Sequence, residues 1–314
     1  MKNNAKSYRE IIALIGLALI VTDIARTSQA RDFADKSNFA KIDVPSSAGY
    51  TAPNGINAQG DIVGTYGAIL NNNSVTRGFL LSKGTFTNID VNLPGAIPGS
   101  TNATGINAQG DIVGFYASDN GNVGFGFDEK GFLLRKGGFT AIEAPGSTFT
   151  VAYGINSQGD IVGWYFDSGG NEHGFLLSKG TFTNIDVPGA LAGSSSAVGI
   201  NSQGDIVGAY SDSGGNAHGF LRSKGRFTTI NVPGAIGSFA NPSGINPQED
   251  IVGAYSDSGG NGHGFLRSKG GFIKIDVPAT FGIGTQAYGI NPQGDIVGLY
   301  FDGSGLTHGF LLRE

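Results

Sequence analysis

The sequence contains no cysteine and one tryptophan, and only 14% of its 314 residues are charged. The lack of cysteine excludes disulfides, thiolate metal sites, a cysteine nucleophile and a lipid-bearing N-terminal cysteine. Basic residues are scarce too: 20 Lys and Arg against 25 Asp and Glu give a net charge of −5. No cluster of cations is available to displace counterions from phosphates, so no nucleic-acid partner is expected. Apolar residues still make up 39% of the chain, enough to bury a core, and 54 glycines argue against helices. A folded, turn-rich β protein is what this composition permits.

Long hydrophobic runs are also missing, with one short exception. Lys2, Lys6 and Arg9 precede an unbroken apolar run of eleven residues from Ile11 to Val21, and Ser28-Gln29-Ala30 places small residues where a signal peptidase would cut. A spanning helix needs roughly 20 apolar residues. Residues 1–30 therefore read as a secretory signal peptide and 31–37 as a short linker, with no membrane span after cleavage. The expected location is periplasmic or extracellular. Removing the segment takes away four basic and two acidic side chains and moves the net charge from −5 to −7.

Self-similarity dominates the rest. Gly-Ile-Asn begins at Gly55, Gly105, Gly154, Gly199, Gly244 and Gly289, spaced 50, 49, 45, 45 and 45 residues apart. Each repeat reads as four short strands, one ending in Ile-Asn, one like Asp160–Tyr165, one like His173–Ser178 and one like Thr181–Pro188, a spacing typical of all-β folds. Asn-x-Gln-Gly-Asp joins the first two strands as a three-residue hairpin with its glycine left-handed, and Lys-Gly joins the last two. The fifth repeat puts Glu249 where the others have that glycine.

The sixth repeat stops after His308–Glu314, without a fourth strand, whereas Phe39–Pro45 is a fourth strand with no repeat of its own. A ring explains such complementary ends, because one strand from each terminus then completes a shared sheet. An open solenoid would instead need distinct capping repeats. The expectation is a six-bladed β-propeller over residues 38–314, with four-stranded blades and a last blade built from one N-terminal and three C-terminal strands. Prolines at the ends of the fourth strands (Pro45, Pro94, Pro145, Pro188, Pro233, Pro278) suit outer edges that must not recruit neighbours. The phenylalanines at Phe79, Phe132, Phe175, Phe220, Phe265 and Phe310, and at Phe39, Phe86, Phe139, Phe182, Phe227 and Phe272, are expected to pack adjacent blades together.

The repeat unit, Gly-Ile-Asn-x-Gln-Gly-Asp-Ile-Val-Gly followed by Asp-Ser-Gly-Gly-Asn-x-His-Gly-Phe-Leu, resembles that of bacterial secreted proteins with HAF-type extracellular repeats, over Phe39 to Glu314. The resemblance implies export and a propeller-like repeat array. It implies no activity.

Candidate chemistry follows the symmetry. His173, His218, His263 and His308 share one repeat position with Arg77 and Lys130, and an acidic position on strand four holds Asp43, Asp90, Glu143, Asp186 and Asp276, with Asn231 in the fourth repeat. Equivalent atoms on third strands of a six-fold ring should lie ~15 Å or more apart, given ~4.8 Å between strands, whereas zinc needs nitrogens ~2 Å away. A shared ion is excluded, and a polar contact at the blade edge is expected. The Asp-Ser-Gly-Gly-Asn loops lack the alternating carboxylates of an EF-hand and read as hairpin turns. No metal and no cofactor are expected, and no strand-to-helix elbow supports a serine triad.

A site for one asymmetric ligand should lie where the copies differ. The aromatics Tyr50, Phe149, Phe239 and Phe281 fall on a variable connection, and Trp164 ends the second strand of the third repeat near the same face; these five are the candidate ligand-binding residues, suited to stacking on sugar rings. The expected function is ligand binding without catalysis, by a monomer, with extracellular carbohydrate or protein as partner. The alternatives are a propeller hydrolase or polysaccharide lyase using Asp119, Asp128, Glu129, or Glu172 and His173, and a structural surface or matrix protein.

Overall fold

Turn chemistry delimits the strands. In each Gly-Ile-Asn-x-Gln-Gly-Asp segment the asparagine side-chain oxygen accepts two backbone N–H groups of its own turn, as Asn57 Oδ1 does from Gln59 (3.0 Å) and Asp61 (2.9 Å). The backbone closes the same three-residue loop through Asn57 N to Asp61 O at 3.0 Å, and Gly60 takes the left-handed conformation at φ 80°. The Lys-Gly turns are two-residue hairpins with both residues left-handed, as at Lys83 (φ 49°) and Gly84 (φ 79°), which matches the right-handed twist of the flanking strands.

The computed structural model describes residues 38–119, 128–236 and 240–314. The expected signal segment 1–30 and linker 31–37 lie outside the described residues. β1 (Phe39–Ile42) is followed by five antiparallel meanders of four strands. These are β2 (Thr51–Ile56), β3 (Ile62–Leu70), β4 (Asn73–Ser82) and β5 (Thr85–Ile89); then β6 (Ala96–Ile106), β7 (Ile112–Ser118), β8 (Asp128–Arg135) and β9 (Gly138–Ile142); then β10 (Ser147–Ile155), β11 (Ile161–Asp167), β12 (Glu172–Ser178) and β13 (Thr181–Ile185). β14 (Ala190–Ile200), β15 (Ile206–Asp212), β16 (Ala217–Ser223) and β17 (Arg226–Ile230) make the fourth, and β18 (Asn241–Ile245), β19 (Ile251–Ser256), β20 (Gly262–Ser268) and β21 (Gly271–Ile275) the fifth. The last three strands, β22 (Ile283–Ile290), β23 (Ile296–Phe301) and β24 (Thr307–Leu312), take β1 as their outer neighbour. Phe39 pairs with Leu312, Ala40 with Leu311 and Ile42 with Gly309, so the expected union of the two chain ends is present.

Sheets meet face to face through the periodic residues. The third-strand phenylalanines Phe79, Phe132, Phe175, Phe220, Phe265 and Phe310 are fully buried, each worth about 2–3 kcal/mol in transfer from water. Their clusters cross between neighbouring sheets: Val63 joins Ile112, Tyr116 and Phe132, and Val113 joins Ile161, Tyr165 and Phe175. At the seam, Ile42 and Val44 from the N-terminal segment and Val297 from β23 enclose Phe79 with Ile56 and Ile62.

Inner strands pass each other closely enough that side chains are excluded between them. A Cβ on Gly55 would lie 3.2 Å from Gly105 Cα, and one on Gly289 would lie 3.1 Å from Gly55 Cα, so the succession of inner strands returns from last to first. The same asparagines reinforce it: Asn57 Nδ2 donates to Asn107 O at 3.3 Å, and the link repeats through Asn107, Asn156 and Asn201 to Asn246, which reaches Asn291 O at 3.4 Å.

Two substitutions test this account. Gly163 sits under the Phe175 ring, and a Cβ there would stand 2.8 Å from that ring and overlap the Val151 carbonyl oxygen. Gly163→Ala is expected to cost about 3 kcal/mol in denaturant unfolding. Glu249 holds the left-handed turn position at φ 60° with its side chain exposed. Glu249→Gly is expected to raise stability by about 1 kcal/mol; a loss would show that the glutamate has a favourable contact outweighing backbone strain.

Candidate functional site

Strand alternation decides what faces the centre. The residue preceding glycine in each Gly-Ile-Asn motif, namely Asn54, Thr104, Tyr153, Val198, Ser243 or Tyr288, lines a central cavity of about 600 Å³. Asn102, Ser196 and Asn241, two positions earlier, extend the wall, and Thr65, Phe115 and Trp164 contribute from second strands. Tyr50 and Glu172 also belong to the lining. Some polar groups are committed to the wall: Asn54 Nδ2 donates to Ala103 O at 2.9 Å, and Thr104 Oγ1 to Ala152 O at 2.9 Å.

Aromatic rings cluster in the second and third repeats, with Tyr50 and Tyr288 adding two more from the first and last. Trp164 stacks on Phe149 with ring centroids 5.2 Å apart and an interplanar angle of 22°, and meets Phe166 edge-on at 5.4 Å. Phe115 approaches Tyr153 at 6.3 Å. Burial raises the phenol pKa of Tyr50, Tyr153 and Tyr288; Tyr153 is also raised by the charges of Glu129 and Tyr50, and Tyr288 by Tyr50 and Tyr153. The three phenols thus stay protonated and share one electrostatic neighbourhood. Burial also raises the carboxyl pKa of Glu129 and of Glu172, the latter partly offset by a hydrogen bond with Ser196.

Of the residues proposed from sequence, Tyr50 and Trp164 line the cavity. Phe149 stands behind Trp164 as its stacking support rather than in the lining. Phe281 packs on Tyr300 at 6.0 Å and is likewise not part of the lining, because its loop folds back over its own sheet. Phe239 lies outside the described residues. Sequence reasoning passed over Tyr153, Tyr288 and Phe115. Their signal was available: two tyrosines interrupt the small or polar residues that otherwise precede the motif glycine, on a strand expected to line the channel.

The repeated histidines form clasps. The position holding Arg77, Lys130 and the four histidines faces the acidic position of strand four in every repeat: Arg77 reaches Asp90 at 2.9 Å, Lys130 Glu143 at 3.1 Å, His173 Asp186 at 3.0 Å, His263 Asp276 at 2.7 Å and His308 Asp43 at 3.0 Å, while His218 meets Asn231 at 3.2 Å. The other ring nitrogen turns to the loop aspartate, at 3.0 Å for His218–Asp212, 3.2 Å for His263–Asp257 and 3.1 Å for His308–Asp302. Those aspartates in turn accept from their own loops, as Asp167 does from Gly169 N (2.8 Å) and Asn171 N (2.9 Å). The loops are therefore closed turns, and the histidine nitrogens are occupied by oxygen partners. His308–Asp43 joins the two ends of the chain through this clasp.

No family model matches the chain, and no curated protein matches it. Solved structures do. A mutant of AofleA from Arthrobotrys oligospora aligns with TM-score 0.53 at 12% identity, over 88% of this chain and 87% of that one. SapL1 lectin in complex with α-methyl fucoside aligns with TM-score 0.53 at 12% identity, over 85% and 94%. The β-propeller domain of the Trilobed protease from Pyrococcus furiosus aligns with TM-score 0.50 at 10% identity, over 84% and 95%. The chain thus has a β-propeller fold of four-stranded blades.

The clasps give a pH dependence. Hydrogen bonds from Asn171 hold Asp167 down to about 2 from an ordinary 3.8, and Asp212, Asp257 and Asp302 are likewise lowered by loop and histidine partners. Groups with depressed folded-state values contribute stability that is complete above the unfolded value and lost as pH falls through the folded one. Asp212→Asn, Asp257→Asn and Asp302→Asn combined should flatten the fall in urea midpoint below about pH 4. An unchanged slope would assign acid sensitivity elsewhere. His218 carries the opposite sign: its pKa is raised chiefly by Asp212, so its contribution is lost as pH rises through the folded value.

Proposed function

We propose that the chain is a secreted, monomeric six-bladed β-propeller that binds an extracellular carbohydrate at the mouth of its central cavity, without catalysis. Twenty-four strands among the described residues, taken four at a time with β1 completing the last group, support the count of six. The signal-like segment and the resemblance to HAF-repeat proteins support export.

The observation that carries the binding reading is the composition of the cavity wall. Phe115, Tyr153 and Trp164 present ring faces or edges among the amides of Asn102 and Asn241 and the hydroxyls of Ser196 and Ser243. Sugars carry both surfaces such a wall needs: apolar C–H faces to stack on aromatic rings, and hydroxyls to exchange hydrogen bonds with amides. A volume of about 600 Å³ is in the range of ordinary ligand pockets. SapL1, which has this fold, is a lectin with a bound fucoside; that likeness supports the class of ligand and not its identity.

The test is a saccharide array probed with the full chain and with two variants. Trp164→Ala should weaken retention of the bound saccharide at least tenfold, about 1.4 kcal/mol. Phe281→Ala, whose ring packs on Tyr300 outside the lining, should bind as the parent does. Absence of any retained saccharide, or equal binding by Trp164→Ala, would overturn the reading, and cleavage of a retained saccharide would replace binding with hydrolysis.

A further inference from the structure

The charge of the cavity wall restricts the ligand further. Among the described residues lining it, Glu172 is the one carboxylate, and no described Lys, Arg or His joins it. Cross-strand register places Glu172 opposite Phe166, hence on the face of β11 that carries Phe166 and Trp164. The next sheet brings Ser194 alongside Glu172 in a parallel pairing. One sheet earlier, Glu129 holds the same register position opposite Ala117, on the face that carries Phe115. Phe115 leads to Tyr153, the phenol that experiences the Glu129 charge.

This coincidence is confined to two repeats. The register position of Glu129 and Glu172 is filled by Thr76, Ala217, Gly262 and Thr307 elsewhere, and the position of Phe115 and Trp164 by Thr65, Ala209, Ala254 and Leu299. Carboxylate and ring therefore occur together or not at all. Among the described residues the adjoining bases are paired elsewhere, Lys130 with Glu143 and His173 with Asp186, and burial raises the pKa of both half-buried glutamates. An ammonium group placed against aromatic faces and beside a carboxylate gains from the ring quadrupole and from a charge-assisted hydrogen bond together. A carboxylated sugar meets only repulsion there.

We infer that the cavity mouth selects a saccharide bearing free, protonated amines, with Glu172 beside Trp164 as the principal amine-binding group and Glu129 beside Phe115 as the second. This rests on the saccharide-binding reading above and adds the ligand's charge to it.

Binding of three probes to the full chain tests the inference: a glucosamine tetramer, its fully N-acetylated counterpart and a uronic acid tetramer. The glucosamine tetramer should bind at least tenfold more tightly than the acetylated one, about 1.4 kcal/mol, and the uronic acid tetramer should be the weakest. Glu129→Gln with Glu172→Gln should bring the first two within about twofold, with the melting temperature confirming a folded variant. If that variant does not fold, raising salt from about 0.05 to about 0.5 M should weaken the glucosamine tetramer selectively on the parent chain. Equal binding of the amine and acetylated probes, preference for the uronic acid, or a preference that survives both substitutions would overturn the charge assignment while leaving saccharide binding intact. Retention of no saccharide at all would remove both.

Discussion

The structure depends on a buried asparagine that serves two sheets at once. Its side-chain oxygen shapes the hairpin of its own sheet, and its side-chain nitrogen donates to the equivalent backbone carbonyl of the next, as Asn107 does to Asn156 O at 3.2 Å. Asn107, Asn201 and Asn291 are 4%, 3% and 2% exposed, so water cannot replace those bonds. A buried amide deprived of a partner costs more than the bond it made, so each turn is stable only with its neighbour in place. Local hairpin geometry and the packing of successive sheets are one condition rather than two. The close approach of Gly55 to Gly105, and of Gly289 back to Gly55, is the backbone side of that condition.

Regularity at that end of the sheets leaves the opposite mouth free to vary. The clasps between third and fourth strands accept Arg, Lys or His against Asp, Glu or Asn because each needs only a donor facing an acceptor across two paired strands. The cavity wall is under no such rule. Tyr153 and Tyr288 stand where Asn54, Thr104, Val198 and Ser243 stand in the other repeats, all at one register position. A ring of equivalent strands thus acts as a scaffold on which the second and third repeats carry rings together with carboxylates, while Tyr50 and Tyr288 add rings without a carboxylate.

Much of this was legible along the chain. The strand pattern, the three-residue turns, the left-handed Glu249 and the pairing of Phe39–Ile42 with the C-terminal strand all follow from rules that act over a few residues or from matching a missing strand to a spare one. Histidine clasps were legible as polar contacts, though not their double character, because the loop aspartate lies six residues away from its histidine by a turn whose shape had to be built first. Phe149 and Phe281 marked variable loops correctly as aromatic, yet one ended as the stacking support of Trp164 and the other on Tyr300.

Sequence by itself determined the elements, their order, the turn types and the identity of the periodic core, because hydrophobic alternation and turn chemistry are local and six near-copies repeat the same statement. Tertiary structure decided which of the candidate side chains meet in the cavity. Tyr50, Tyr153 and Tyr288 are separated by 103 and 135 residues, and only the return of the last inner strand to the first brings their phenols into one electrostatic neighbourhood. A convergence set by closure of the chain on itself leaves no trace in spacing, since it is a property of the ring and not of any repeat within it.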